Sequence, residues 1–413
     1  MAFATVAIGL TIHALSGGLA AGAPPFISAW HPRIRPLAAV SLAVLAAAVP
    51  LSPLMTGIRS RSLFAACAFV LALVLGLALN LAREGVHGWY AVFDTSPHGS
   101  FEAPNEYLPS LTALTYGPQF FLGHFAQLVP SLTINGAGHP PGLLLTMDAL
   151  HLRSAQRLAA FCIVVGALST PLAYLLAREL LDEERARIAA LFTAFAPSVL
   201  LDGTVSADAV YMTLGMATAA LLVSRRASVR VAGAAMAAIG GFFSYLLLAI
   251  PVWAALVVLA RCGWRAALGV CVTCGLAVLA LNGGLALAVG YDPIGALRAT
   301  GDVYRNSLAL SRPYAYWVFG SPTAWGVMMG LPTAALALRA ASRRDPGALA
   351  LAAVVIVSAV LGFSKAETER IWLPYVPLAC VAAASAAPTR LRPILAALAG
   401  QALLVEILLD TIW

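Results

Sequence analysis

The sequence predicts an all-α fold, that of a polytopic integral membrane protein with about 11–13 transmembrane helices. Three observations support this fold class. The 413 residues are 61% hydrophobic and only 10% charged, whereas roughly a quarter of the residues of soluble domains are charged. Apolar stretches of about 20 residues, each long enough to cross a bilayer, recur along the chain. Basic residues cluster in the short connections between these stretches, as the positive-inside rule describes.

The basic clusters place the N-terminus inside and the C-terminus outside. The first span has no basic residue before it and is expected to be a retained helix, not a cleaved signal peptide. Two features depart from the regular pattern: Arg33 and Arg35 fall on the outer side, and residues 231–260 are short for two crossings. The predicted spans are 3–23, 37–56, 63–82, 157–177, 188–203, 209–224, 231–244, 246–260, 266–289, 322–338, 347–363, 372–387 and 393–411.

The spans and the long connections divide the chain into three regions. Residues 1–62 form an N-terminal helical pair. Residues 63–230 form a core that includes a long external loop, 83–156. Residues 231–413 form a C-terminal transmembrane region with a second external loop, 290–321. No separate soluble domain is expected, because apolar stretches run from one end of the chain to the other.

The first external loop carries the polar groups that are hardest to explain as solvated helix ends. Its segments 107–128 and 141–152 are too short or too broken to span, so they are expected to be interfacial helices. Asp94, Glu102 and Glu106 precede them. Partial burial would raise the pKa of such a carboxyl group and suit it to proton abstraction. The alternative for Glu106 is helix capping or a solvated loop position.

Two further residues of the core lie at predicted helix starts. His139 precedes Pro140 and Pro141, which should begin the helix at 141–152 abruptly and hold the imidazole where an anion would bind. Asp208 should lie at the outer end of a span. The alternatives are a turn with a solvated imidazole for His139 and an ordinary helix-start acid for Asp208.

The C-terminal half contributes cations on the outer side. Lys365 is the sole lysine of the chain, and with Arg370 it could hold a phosphate group. The alternative is charge pairing of these two cations with Glu367 and Glu369.

The second external loop adds Arg305 and Arg312. Outward-facing arginines run against the positive-inside tendency. They are easier to understand if they meet an anionic partner such as a lipid phosphate.

Several function classes are disfavoured. The net charge of +7 is scattered over interhelical loops, so nucleic acid is not an expected partner. The Cys271–Cys274 pair lies in an apolar span, where packing is expected and redox or metal chemistry is not. The chain has no Walker loop, dinucleotide glycine motif or H-E-x-x-H sequence. Transporters commonly show internal repeats and charged residues in the middle of their spans. This chain has no evident internal repeat and few mid-span charges.

The motifs together resemble the GT-C superfamily of polyprenyl-phosphate-sugar-dependent glycosyltransferases. The closer branch is that of protein O-mannosyltransferases and lipid A aminoarabinose transferases. The family's Asp-Glu-aromatic site matches Asn105–Tyr107, with an amide in place of the first acid. Its His-Pro-Pro site matches His139–Pro141, its span-opening arginine matches Arg157, and its second outer acid matches Asp208. The segment Ser364–Pro374 is similar to a motif of uncharacterised actinobacterial membrane proteins.

The resemblance implies a GT-C-like fold and a hexosyl- or pentosyltransferase in the cell membrane, with its active site on the extracytoplasmic side. Such an enzyme moves a sugar, with inversion, from a polyprenyl-phosphate donor to a lipid, glycan or protein acceptor among the membrane lipids. Glu106, helped or replaced by Asp94, would deprotonate the acceptor. The substrate- and phosphate-binding residues would be His139, Asp208, Lys365, Arg370, Glu102, Arg305, Arg312 and Tyr107.

Two other functions stay open at this stage, and so does the question of a metal. A lipid flippase or transporter would move a polyprenyl-linked substrate without breaking a bond. A non-catalytic scaffold subunit would keep the fold with a decayed site, for which Asn105 is the hint. Asp94, Glu106 and Asp208 would be compatible ligands for a divalent metal, but they form an incomplete set, so no metal or other cofactor is assigned.

Overall fold

A computed structural model describes residues 2–362 and 364–411, and about 78% of the structure is helical. The all-α prediction is therefore confirmed. Within the described ranges the α-helices are α1 (Ala2–Ser16), α2 (Ala38–Leu51), α3 (Arg61–Leu79), α4 (Leu81–Glu84), α5 (Tyr107–Ser110), α6 (Pro118–Gly123), α7 (Phe125–Leu128), α8 (Ile134–Gly138), α9 (Gly142–Ala149), α10 (Ala155–Ala167), α11 (Ser169–Leu180), α12 (Glu183–Phe195), α13 (Pro197–Val205), α14 (Asp208–Leu222), α15 (Ala227–Phe243), α16 (Ala249–Cys262), α17 (Trp264–Val289), α18 (Pro293–Asn306), α19 (Tyr314–Met328), α20 (Leu331–Ser342), α21 (Pro346–Leu361), α22 (Thr368–Ile371), α23 (Val376–Ser385) and α24 (Arg392–Leu408).

Short 3-10 helices and one two-stranded sheet complete the secondary structure of these residues. The strands β1 (Ala29–Trp30) and β2 (Leu409–Asp410) pair in antiparallel orientation. The 3-10 helices are Ser52–Gly57, Gly85–Trp89, Ala91–Phe93, Ala103–Asn105, Leu111–Leu114, Val129–Ser131, Tyr245–Leu248, Leu308–Ser311 and Leu373–Tyr375.

Among the described residues, 5 helical segments are long and apolar enough to cross a membrane. The number rises to as many as 7 if each of two bent helix pairs is counted as a single span. These pairs are α12 with α13, bent by 64°, and α19 with α20, bent by 111°. Each predicted span contains a helix, but many of these helices are shorter than a bilayer requires. The number of 11–13 spans therefore stays a prediction. The 5 long segments are Ala38–Gly57, Arg61–Phe93, Ala155–Leu180, Tyr245–Cys262 and Trp264–Val289.

Of the two helices predicted in the first long loop, the structure divides the first and keeps the second. The predicted helix 107–128 is divided into α5, a 3-10 helix, α6 and α7. The break before α6 falls at Gly117, whose φ of +89° is a conformation that favours glycine. Pro118 then opens α6, because proline fits the first turn of a helix but not its interior. The second predicted helix, 141–152, is present as α9.

Two small residues let the central helices approach closely. A Cβ atom at Gly166 of α10 would lie 2.3 Å from the carbonyl oxygen of Gly203 in α13. A Cβ atom at Gly76 of α3 would lie 2.2 Å from Oγ1 of Thr204. The close approach positions α13 and the start of α14, which carry Asp202 and Asp208.

The segment 29–35 meets the last described residues, 407–411, beside the first long loop. In addition to the β1–β2 pairing, the buried guanidinium of Arg83 donates to Oδ1 of Asp410 at 2.9 Å and to the carbonyl of His31 at 2.9 Å. Glu84 accepts from both Arg33 and Arg35. The two arginines that departed from the topology rule therefore share a carboxylate, which offsets part of their charge.

Candidate functional site

Glu106 lies at the centre of a polar region enclosed by helices. It follows the 3-10 helix Ala103–Asn105 and precedes α5, and it is only 1% exposed. Nδ2 of Asn135 donates to its Oε1 at 2.8 Å. Its other oxygen, Oε2, is buried and has no hydrogen-bond partner among the described residues. This carboxyl group therefore keeps one oxygen available for a proton.

Next to Glu106 in the chain, Tyr107 belongs to a group of three hydrogen-bonded aromatic side chains that also contacts Asn135. Oη of Tyr107 lies 2.9 Å from Nδ1 of His139 and 2.8 Å from Oη of Tyr211. The imidazole stacks on Tyr211 with ring centroids 4.9 Å apart. Nδ1 of His139 is also 3.0 Å from the carbonyl oxygen of Asn135. A carbonyl oxygen can only accept, so the contact requires the hydrogen on Nδ1.

The structure places His139 two residues before the N-cap of α9, and its role in anion binding stays a prediction. The N-terminal residue before α9 is Pro141, and Nδ1 of His139 lies against Tyr107 and Asn135, as described above. Burial lowers the pKa of His139, so the imidazole is neutral at neutral pH. It is better suited to orienting Tyr107 than to neutralising an anion.

An ion-pair network lies close enough to Glu106 to act on its carboxyl group. NH1 of Arg370 donates to Oδ2 of Asp208 at 2.8 Å, and NH2 donates to Oε2 of Glu367 at 3.2 Å. Arg312 donates to Oε1 of Glu367 and, at 2.9 Å, to the carbonyl of Lys365. These four charged side chains are 4–11% exposed. Two arginines thus balance two carboxylates in a buried setting, where unpaired charge would be costly.

Electrostatic coupling joins the aromatic group and the ion-pair network into one site. The charges of Arg370 and Asp208 act on both Glu106 and His139. We refer to Glu106, Asp208, Arg312, Glu367 and Arg370, with Tyr107 and His139, as the buried cluster.

Glu106 and Glu369 have unusually high pKa values for carboxyl groups. Burial raises the pKa of Glu106 to about 8, against the opposing effect of Arg370. Burial likewise raises the pKa of Glu369 to about 7, although the backbone amide of Ile27 donates to its Oε1 at 2.9 Å. For Glu367 burial acts in the same direction, but Arg312 and Arg370 outweigh it and lower its pKa. Glu106 and Glu369 are therefore the proton-binding groups, while Glu367 stays charged.

Asp94 lies apart from the buried cluster. Its Oδ2 is 3.1 Å from Nε2 of His87, and its Oδ1 accepts from the backbone amide of Ser96 at 3.0 Å. The hydrogen bond from Ser96 and then that from His87 lower the pKa of Asp94. Asp94 lines a cavity of about 580 Å³, together with Pro104, Leu108 and several residues of the segment 153–156. We call this the loop cavity.

The loop cavity and the buried cluster share one segment of chain but not one surface. Pro104 and Leu108 line the cavity, whereas Glu106, between them, is buried and is not among the lining residues. Of the two predicted catalytic acids, Asp94 therefore reaches open space and Glu106 does not.

Three predicted binding residues lie outside the buried cluster. Arg305 is an exposed residue paired with Asp302 at 2.7 Å. Nζ of Lys365 donates to the carbonyl of Ala309 at 3.0 Å, although the Lys365 backbone carbonyl touches Arg312. Oε2 of Glu102 accepts from Nδ2 of Asn105 at 2.8 Å, and its charge acts on Glu106 from a distance.

Several residues of this region were not predicted from the sequence. Asn135 and Tyr211 contact the predicted residues directly, and His87 holds Asp94. Tyr211 lies three positions after Asp208 on α14, so helical spacing places both side chains on one face. Asn135 and His87 have no comparable pattern, because their contacts depend on how the loop folds back on itself.

The described residues contain no group of three or more His, Cys, Asp or Glu side chains placed to hold a metal ion. Comparisons with protein-family models, with curated proteins and with solved structures found no match to this chain.

Proposed function

We propose that the protein is a multi-pass membrane glycosyltransferase of the GT-C type, with its active site on the extracytoplasmic side of the cell membrane. It transfers a sugar, with inversion, from a polyprenyl-phosphate donor to an extracytoplasmic acceptor. The apolar helices support the membrane location. The resemblance described above supports the donor class.

One observation carries the proposal: residues from distant parts of the chain converge on one buried polar site. Glu106, Asp208 and Arg370 come from the first loop, from α14 and from α22. Buried charges and titratable acids are costly in an apolar helical protein, so their concentration at one place indicates function.

The proposed reaction needs one base and one stabiliser of negative charge. A carboxylate, either Asp94 or the ionised form of Glu106, accepts the proton of the acceptor hydroxyl. The hydroxyl oxygen then bonds to the anomeric carbon, the bond from that carbon to the phosphate oxygen breaks, and the electron pair leaves with the lipid phosphate. Arg370 and Arg312 stabilise this phosphate, a type of electrostatic contribution that is often large.

The burial of the cluster adds a requirement to this mechanism. Because Glu106 lies behind the wall of the loop cavity, the segment 104–109 has to move for Glu106 to reach an acceptor. Asp94 already lines that cavity and needs no such movement. The two acids are therefore distinguishable by mutation.

The experiment compares sugar transfer by purified wild type, Glu106→Gln and Asp94→Asn, with Glu184→Gln as a control at an exposed acid. The substrates are a radiolabelled polyprenyl-phosphate sugar and membrane acceptors. Loss of the essential base should lower the rate by roughly 10²–10⁴-fold, and the control should match wild type. Full turnover in both Glu106→Gln and Asp94→Asn would refute the assignment.

A lipid flippase or transporter is the second candidate, and one observation favours it. Glu106, Asp202 and Glu369 each have a buried carboxyl oxygen without a hydrogen-bond partner among the described residues. Chains of such acids serve as proton relays in pumps and transporters. Movement of the labelled lipid between leaflets, without sugar transfer by any variant, would support this candidate. Absence of both activities would point to a scaffold subunit.

A further inference from the structure

A second polar cavity lies where the segment 29–35 meets residues 407–411, and the buried cluster does not include it. This terminal cavity has a volume of about 400 Å³. Three segments line it: residues 33–35, residues 80–101 and residues 406–411. Its volume falls within the range of pockets that bind small molecules.

The terminal cavity offers many hydrogen-bonding groups in fixed positions. Glu84 accepts from Arg33 and Arg35. Each guanidinium group has five N–H donors, so most of these donors remain for a ligand. Arg83, which is 3% exposed, is fixed by Asp410 and by the carbonyl of His31.

The charges around the terminal cavity are of both signs. Arg33, Arg35 and Arg83 line it together with the acidic residues Glu84, Glu406 and Asp410. Three arginines and three acidic residues line the cavity with two histidines, His87 and His98, so the lining has no large excess of either charge and does not select for a free phosphate or a cation. A neutral ligand with many hydroxyl groups fits this mixture of donors and acceptors better.

An exposed aromatic residue stands at the same cavity. Phe101 lines it and is 67% exposed. A large apolar side chain left open beside polar groups indicates a binding surface when both meet in one concave site. An aromatic face covers the C–H face of a sugar ring, while the charged groups bind its hydroxyls.

We propose that the terminal cavity binds a carbohydrate, and that this carbohydrate is part of the acceptor. The second statement rests on the proposed glycosyltransferase function and identifies its acceptor as a glycan. The first statement concerns binding alone.

Binding is tested on the full-length protein in detergent by saturation-transfer difference NMR. The probes are methyl glycosides of mannose, galactose and arabinose, with inorganic phosphate as a competitor. Wild type should bind at least one glycoside, and Phe101→Ala and Arg33→Ala should weaken binding roughly tenfold, the loss expected for about 1.4 kcal/mol. Tyr116→Ala and Arg343→Ala change exposed residues outside the cavity and should bind as wild type does.

Three results would overturn the proposal. They are no binding of any glycoside to wild type, equal weakening by the control variants, or displacement of a bound glycoside by phosphate at equimolar concentration. The last result would identify an anion site instead.

A transfer assay separates this proposal from the proposed function. Phe101→Ala should raise the KM for a glycan acceptor and leave kcat close to that of wild type, because the residue is assigned to binding and not to chemistry. An unchanged KM with active enzyme would refute the acceptor role and leave the glycosyltransferase proposal intact. Full activity of both Glu106→Gln and Asp94→Asn would refute the glycosyltransferase proposal. That result would not contradict the binding of a glycoside to the terminal cavity.

Discussion

Individual charges in the buried cluster have distinct roles because their partners differ. Arg312 and Arg370 form ion pairs with Asp208 and Glu367, and the two arginines lower the pKa of Glu367. Glu106 accepts a hydrogen bond from the amide of Asn135, and its Oε2 has no hydrogen-bond partner among the described residues. It therefore avoids the cost of a buried charge by keeping its proton.

This difference predicts how Glu106 affects stability with pH. Its pKa rises from an ordinary value of 4.5 to about 8 in the folded state, so the folded protein holds a proton that the unfolded chain has lost. The protonated Glu106 makes its whole contribution to the free energy of unfolding below about pH 4.5. This contribution is lost as the pH rises through about 8. When the pH rises from about 5 to about 9, the free energy of unfolding of wild type should fall by roughly 1–3 kcal/mol more than that of Glu106→Gln.

Thermal unfolding followed by tryptophan fluorescence in detergent would measure this difference. Glu369 titrates in both proteins, so its contribution cancels in the comparison. Parallel pH profiles for wild type and Glu106→Gln would show that Glu106 is not the titrating group.

At the scale of elements, two features of α10 and α13 place the acids. α13 begins with Pro197 after a 64° bend from α12. Gly166 of α10 then allows the backbone of α13 to approach. The carbonyl of Gly203 occupies the space that a side chain at position 166 would need. The next helix, α14, starts with Asp208, so its position relative to Arg370 depends on this contact.

We expect Gly166→Ala to destabilise the protein. Its new Cβ would lie 2.3 Å from a backbone oxygen and 2.8 Å from Cβ of Ala209, and such overpacking costs about 1–3 kcal/mol. Gly269→Ala in α17 is the matched control, because no atom lies within 4 Å of its Cβ position. That change should stabilise the helix by up to about 1 kcal/mol.

Thermal unfolding of both variants in the same detergent decides this prediction. Equal midpoints would mean that α10 and α13 are not in close contact.

At the scale of the whole molecule, two groups of ion pairs occupy different parts of the helical assembly. One joins Arg33 and Arg35 to Glu84, beside the first loop. The other joins Arg61 and Arg187 to Glu183, at the start of α12. The proposed membrane orientation assigns the first group to the outer side and the second to the cytoplasm.

Single-cysteine labelling tests this orientation. Thr95 and Ser342 are exposed residues in the first loop and near the Arg339–Arg344 cluster. In a background without native cysteines, Thr95→Cys should react with a membrane-impermeant maleimide in intact cells. Ser342→Cys should react only after permeabilisation, because positive clusters remain inside.

Labelling of both positions in intact cells would contradict the proposed topology. Glu184→Cys, close to the second group of ion pairs, gives an independent check and should behave as Ser342→Cys does.

The amino-acid sequence alone determined the helical class and the approximate places of the helices, and it singled out Glu106, Asp208 and Arg370 as candidate site residues. These conclusions depend on local properties: apolar length, helix-breaking residues and the rarity of charge among apolar residues. The division of 107–128 into short helices was missed, although Gly117 and Pro118 mark one of its breaks.

Only the tertiary structure decided which charges meet. Arg370 and Asp208 are 162 positions apart, and nothing in their spacing says that they pair. The same holds for Lys365, whose ammonium group binds a carbonyl of the chain, and for Asp94, which faces the loop cavity while Glu106 is enclosed. Such contacts depend on helix packing, because burial and hydrogen-bond partners arise only when distant segments come together.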